Sequence, residues 1–151
     1  MDLLFVAFKQ DMKVGQEMKN LLDQDTNIVA SFTIPLVAKT KKNSQRIIYC
    51  GGRPRIIQSK EYLEYEEQCY PYLKPLNIDY PVNIKSVFYM QTRRRVDLSN
   101  LISACHDILV KYDVITDDNF RIIHSVDGSR VFYDKLNPRT EIEITKIIEY
   151  N

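Results

Sequence analysis

Apolar residues recur with two different periods along the chain, and each change of period marks an element. NIVASFTIPLV, residues 27 to 37, is dense in β-branched side chains and predicts a strand, with Pro35 pushing its end toward a sheet edge or a bulge. The basic stretch KTKKNSQR follows as a loop. RIIYCGGRPRII predicts a hairpin, because Gly51 and Gly52 separate two short β-forming runs. In SKEYLEYEEQCYPYL the period becomes helical. Ser59 is placed to cap that helix, Glu61, Glu64, Glu66 and Glu67 fall toward its early turns, where the helix dipole favours negative charge, and Pro71 and Pro75 limit its far end. NIKSVFYMQ is a strand. Beyond it Leu101, Cys105, Ile108 and Tyr112 recur at helical spacing and form one apolar face, while Asn100, Ser103, Asp107 and Lys111 lie on another. FRIIHSVDGSRVFYD predicts a hairpin turning at Asp127-Gly128, NPRT a further turn, and TEIEITKII a final alternating strand.

These elements predict an α/β (α+β) chain: residues 26–151 form a single compact domain with a mixed sheet, two main helices and a C-terminal hairpin and strand. Residues 1–25 stand apart as an N-terminal extension in which Met12, Met18, Leu21 and Leu22 give a partial helical stripe before DQD breaks it. A chain of 151 residues suits one domain with its own core, and 44% hydrophobic with 27% charged residues excludes a disordered or fibrous class. No apolar run approaches the roughly 18 residues needed to cross a bilayer, and the apolar stretch in MDLLFVAFKQD is too short for a signal peptide. A cytoplasmic protein without a membrane partner is therefore expected. Cys50, Cys69 and Cys105 are odd in number and widely spaced, which fits reduced thiols better than disulfides, and only His106 and His124 are available to complete a zinc site.

A net charge of +1 conceals a segregation of sign. From Thr26 to Lys60 the seven basic residues Lys39, Lys41, Lys42, Arg46, Arg53, Arg55 and Lys60 occur without one acid. Such a stripe is the footprint of a phosphate-binding surface. Downstream, RRRVDLSNLISACHDILVKYDVITDDNF puts Arg93, Arg94 and Arg95 beside Asp97, and adds Asp107, Lys111, Asp117 and Asp118. Hydrolysing a phosphodiester asks for both kinds of charge. Cations hold the backbone, and a few carboxylates place Mg²⁺ or Mn²⁺ against the scissile phosphate. Each carboxylate also has a plain structural use: Asp97 as a helix cap, Asp107 as a solvated helix position, Asp117-Asp118 as a turn. An unbroken helix puts Asp97 and Asp107 about 15 Å apart, so the two cannot bind one ion. Asp118 reaches Asp97 only if residues 113–118 double back along the helix or a partner subunit supplies it.

The text DLSNLISACHDIL followed by VITDD resembles the RusA-like Holliday-junction resolvases, whose pattern runs DxDNLxKxxxDxL, then a turn and an Asp-Asp pair. Asp97, Asn100, Leu101, Asp107, Asp117 and Asp118 match at the family's spacing, and the strand, basic loop and hairpin upstream are similar, so the resemblance spans about residues 28–147. It implies an enzyme, a crossover junction endodeoxyribonuclease of phage or prophage origin. The expected form is a homodimer that binds four-way DNA in the host cytoplasm and nicks it with Mg²⁺ or Mn²⁺ in recombination and repair. Asp97 and Asp118 are then the expected metal ligands and catalytic residues, with Asp117 assisting. Lys39, Lys41, Lys42, Arg46, Arg53, Arg55, Arg93, Arg94, Arg95 and Lys111 are the expected phosphate contacts; Tyr49, Tyr62, Tyr65 and Tyr70 are available for stacking on bases, though most of them are expected to be core or packing residues. Two positions depart from the family: Ser99 stands where a second aspartate is usual, and Ser103 where a lysine is usual. The loss of a carboxylate weakens an Mg²⁺ site, and the loss of the lysine removes a cation from the phosphate. The alternatives to an active nuclease are a branched-DNA-binding protein without cleavage and a phage protein-interaction module.

Overall fold

The computed structural model describes residues 13–15, 27–41 and 45–148. Of the N-terminal extension only residues 13–15 are described, and they are helical and exposed; the rest of the expected helical stripe lies outside the described residues. The elements in chain order are β1 (Ile28–Ile34), β2 (Gln45–Cys50), β3 (Arg53–Gln58), α1 (Lys60–Cys69), a 3-10 turn at Tyr70–Tyr72, β4 (Val82–Met90), α2 (Leu98–Lys111), β5 (Ile123–Ser125), β6 (Arg130–Tyr133) and β7 (Arg139–Lys146). This is a mixed α+β fold. Its main sheet runs β1-β7-β4, with β5 and β6 both on the far edge of β4, and β2 with β3 forms a separate two-stranded ribbon.

Alternation explains the sheet. On β4 the inward residues Val82, Ile84, Ser86 and Phe88 are buried, and on β7 so are Thr140, Ile142 and Ile144; Lys85, Glu141 and Glu143 take the other face. Tyr62, Tyr65 and Cys69 of α1 join Leu101, Ala104, Cys105, Ile108 and Leu109 of α2 in one core with these strands. Both helices thus cover the same side, and the second side of the antiparallel part is solvated. Ser59 caps α1 as expected, its Oγ accepting from the Tyr62 N–H at 3.2 Å. Pro35 ends β1, which is an edge strand.

The expected hairpin at Asp127-Gly128 is corrected. β5 and β6 both run parallel to β4, as two pieces of one edge strand laid down after the α2 crossover. From the Asn83↔Ser125 pair to the Val87↔Arg130 pair β4 advances four residues and its neighbour five, so one residue bulges out. Gly128, at φ +85°, supplies the left-handed step, and its missing side chain leaves room for the Lys85 stem, which an added Cβ would meet at 3.1 Å. Asn83 of β4 stitches the bulge: its Oδ1 accepts from Ser125 Oγ at 2.6 Å and from the Asp127 N–H at 2.7 Å. A true hairpin would have left the second half of the β4 edge unpaired, a cost the parallel continuation avoids.

Candidate nucleic-acid and metal site

The β4–α2–β5 crossover determines where each candidate stands. Asp97 precedes α2 and so lies at the carboxyl end of β4, together with the loop carrying Arg93, Arg94 and Arg95. Its backbone carbonyl accepts from the N–H groups of Asn100 and Leu101, while its Oδ2 accepts from Asn100 Nδ2 at 3.2 Å. The helix then returns the chain to the opposite end of the strand. There the Asp113 carbonyl accepts from the N–H groups of Leu76 and Asn77, Ile78 N–H donates to the Val114 carbonyl, and Thr116 N–H donates back to the Ile78 carbonyl, fixing the approach to Asp117-Asp118. Asp113 itself adopts φ +56°, the left-handed residue that ends a helix.

Consequently α2 is unbroken, and Asp118 shares a groove with Asp107 rather than with Asp97. That groove, about 360 Å³, is lined by Lys41, Glu66, Asp107, Val110, Lys111 and Asp118. The expected union of Asp97 with Asp118 is not found there, because the end of the crossover passes beside the last turns of α2 and does not run back to its first. The groove brings together three carboxylates and two ammonium groups. Lys41 Nζ meets Asp107 Oδ2 at 2.8 Å, which joins Lys41 to the helix. Lys111 is paired with Glu66, and the Tyr112 hydroxyl donates to the Glu66 carbonyl at 2.9 Å. One negative charge is left over, on Asp118, whose side chain makes no hydrogen bond or ion pair among the described residues, although its charge acts on the nearby His106. Asp117 differs from its neighbour: its Oδ1 accepts from the Asp118 N–H at 2.7 Å and its Oδ2 from Asn119 Nδ2 at 2.6 Å. Those bonds hold its pKa below the usual carboxylate range and make it the residue that shapes the turn.

Glu66, which the sequence marks only as helix-dipole charge, is a residue of the groove. Its signal was present: Tyr62, Tyr65, Glu66 and Cys69 fall on one helical face, and a carboxylate on a buried stripe requires a cation. His106 is also buried near the groove. Burial lowers its pKa, the charges of Asp118 and Asp107 work in the opposite sense, and its Nε2 has no partner among the described residues.

The expected cations divide by partner. Lys41 and Lys111 are held by carboxylates, Arg46 lies 3.5 Å from Glu61, and Arg93 sits 4.4 Å above the Tyr133 ring. Arg53, Arg55, Arg94 and Arg95 are exposed without a partner among the described residues. Lys39 is half-buried in a recess with Glu61 and Glu64, and Lys42 lies outside the described residues. The aromatic candidates divide likewise. Tyr62 and Tyr65 are core, Tyr70 packs on Tyr112 at 5.1 Å, and Tyr49 is 75% exposed. Ser99 and Ser103 are exposed on α2.

Among the described residues no three His, Cys, Asp or Glu side chains form a group able to hold a metal ion. The donors near Asp118 suit Mg²⁺ only in the sparse manner in which that ion keeps several waters and takes its remaining oxygens from a phosphate. No helix among them is long and apolar enough to cross a membrane. Compared with models of known families the chain matches none, and no curated protein matches it.

Proposed function

We propose that this chain is a RusA-like, structure-selective endodeoxyribonuclease that binds four-way DNA as a homodimer in a bacterial cytoplasm and cuts it with Mg²⁺ or Mn²⁺. The observation that carries the reading is Asp118, which among the described residues is the groove carboxylate that no lysine pairs with, and which shares the groove with Lys41 and Lys111. A hard-oxygen ligand between ammonium groups is what a metal arriving with a phosphate requires. Asp118 would hold the ion, with Asp107 as its neighbour once a phosphate draws Lys41 away. When bound, Mg²⁺ supplies Lewis-acid polarisation of the phosphate and lowers the pKa of an attacking water. Lys41 and Lys111 keep the phosphate in place, and the exposed Arg94 and Arg95 hold backbone at the other end of α2. Two cuts placed symmetrically on a junction suit a two-fold protein.

A second reading, binding of branched DNA without cleavage, is favoured by the neutralised Glu66 and Asp107 and by Ser99 and Ser103 in place of the family's aspartate and lysine. One experiment separates the two. A synthetic four-way junction and a linear duplex are incubated with the protein and Mg²⁺ or Mn²⁺, beside Asp118→Asn and Asp97→Asn variants. Paired nicks on the junction are expected, reduced at least about 100-fold by Asp118→Asn, the scale of losing a group that stabilises transition-state charge. Tight, salt-sensitive junction binding with no nick under either metal would replace the enzyme by the binding protein.

A further inference from the structure

Among the described residues the β2–β3 ribbon pairs only with itself, and its register sorts its side chains onto two unlike faces. Opposed residues share a face, so Ile47 with Ile56 and Tyr49 with Pro54 lie on one side, and Arg46 with Ile57, Ile48 with Arg55 and Cys50 with Arg53 on the other. The first side is apolar and open, with Ile47, Tyr49 and Ile56 exposed by 66%, 75% and 68%. The second side carries all three arginines of the ribbon, Arg46, Arg53 and Arg55, set among Ile48, Cys50 and Ile57. The turn joining the two strands holds Gly51 and Gly52 at φ +59° and +77°, the left-handed pair of a tight hairpin, which keeps both faces aligned to the tip.

Resting on the DNA reading above, we infer that this ribbon is a wedge that enters the branch point of a junction, with Arg53 and Arg55 on the phosphates of one arm and Tyr49, with Ile47 and Ile56, against bases unstacked at the crossover. Charge complementarity selects the occupant: Arg53 and Arg55, exposed and without a partner among the described residues, offer a polyanion what it needs. The apolar side selects the kind of DNA. A continuous duplex meets a ribbon with phosphates and paired bases on a single surface, whereas a branch surrounds it, presenting backbone to one face and exposed base planes to the other. Tyr49 has the flat ring for stacking, and the two isoleucines supply the apolar bulk that parts a base step.

The test places 2-aminopurine at the crossover of a four-way junction and compares the full chain with Tyr49→Ala/Ile56→Thr and with Arg53→Ala/Arg55→Ala, in EDTA. The wild-type protein should raise the fluorescence on binding. Tyr49→Ala/Ile56→Thr should abolish most of that rise and weaken junction binding about tenfold, the size of one lost base–aromatic stack, with duplex affinity unchanged. Arg53→Ala/Arg55→Ala should weaken both substrates and reduce the salt slope by roughly 2. Wild-type binding without any fluorescence rise overturns the wedge and leaves the DNA reading standing. So does equal loss of junction and duplex binding accompanied by a change from dimer to monomer in sedimentation, which assigns the apolar face to a second copy. Failure of the wild-type protein to bind either DNA removes both.

Discussion

Lys111→Met tests whether the groove's lysines are structural as well as available to a phosphate. Lys111 meets Glu66, whose side chain is only 9% exposed while that of Lys111 is 44% exposed. Removal of one partner from a fully buried pair costs roughly 3–5 kcal/mol, and an exposed pair contributes less than about 1 kcal/mol. This pair is buried at its acidic end only, so the stranded Glu66 carboxylate should cost about 2 kcal/mol. Methionine keeps an unbranched stem of similar length beside the Tyr112 ring, whose centroid lies 5.6 Å from the Lys111 ammonium. Glu66→Gln should cost less, about 0.5 to 1 kcal/mol, because the freed ammonium can turn to water. Glu66→Leu/Lys111→Met should return most of the loss. Urea unfolding followed by tyrosine fluorescence measures all three, and a loss of about 2 kcal/mol corresponds to a fall in Tm of about 4–8 °C for a domain of this size. A Lys111→Met protein within about 0.5 kcal/mol of wild type, or a Glu66→Gln protein less stable than Lys111→Met, would refute the asymmetry.

Two further outcomes follow from burial. Burial pushes the thiols of Cys69 and Cys105 up to about 11 and about 12, whereas Cys50 is exposed on the ribbon. Ellman's reagent at pH 8 should therefore titrate one thiol quickly in the native protein and three in urea; three fast thiols would contradict the packing of α1 on α2. His106 is buried with its pKa below the ordinary imidazole value, so it takes up its proton more readily when unfolded. Its contribution to stability is complete above about pH 6.5 and is lost as pH falls below that toward the folded-state value. Urea unfolding at pH 7.5 and 5.5 should show a loss of stability that is smaller in His106→Leu, and an identical loss in both proteins would exclude His106 as its source.

Where local chemistry decides, the chain was legible. The Ser59 cap, the Gly51-Gly52 turn, Pro35 at the end of an edge strand and the apolar face of α2 all follow from side chains acting on their own few neighbours. Asp127-Gly128 misled because the same dipeptide serves a hairpin and a bulge, and the choice is made by β4, about 40 residues earlier, which offers a whole edge to be paired. The candidate site divides along the same line. Its residue types were readable, but their grouping depends on the direction of the α2 crossover, which carries Asp118 to Asp107 and away from Asp97. Glu66 was hidden because its partner lies 45 positions away, on another helix.

The broken strand opposite β4 bears on how two copies of this chain can meet. One margin of the sheet is split into pieces of three and four residues by the Asp127-Gly128 bulge; the other, β1, is irregular between Ile28 and Ala30 and stops at Pro35. Among the described residues the longest regular row along these margins is Ala30–Ile34 of β1, a short foothold for a strand from another molecule. Among the described residues, pairing of a further strand at either margin is therefore confined to short segments, which limits the length of any ladder a second copy could add to this sheet.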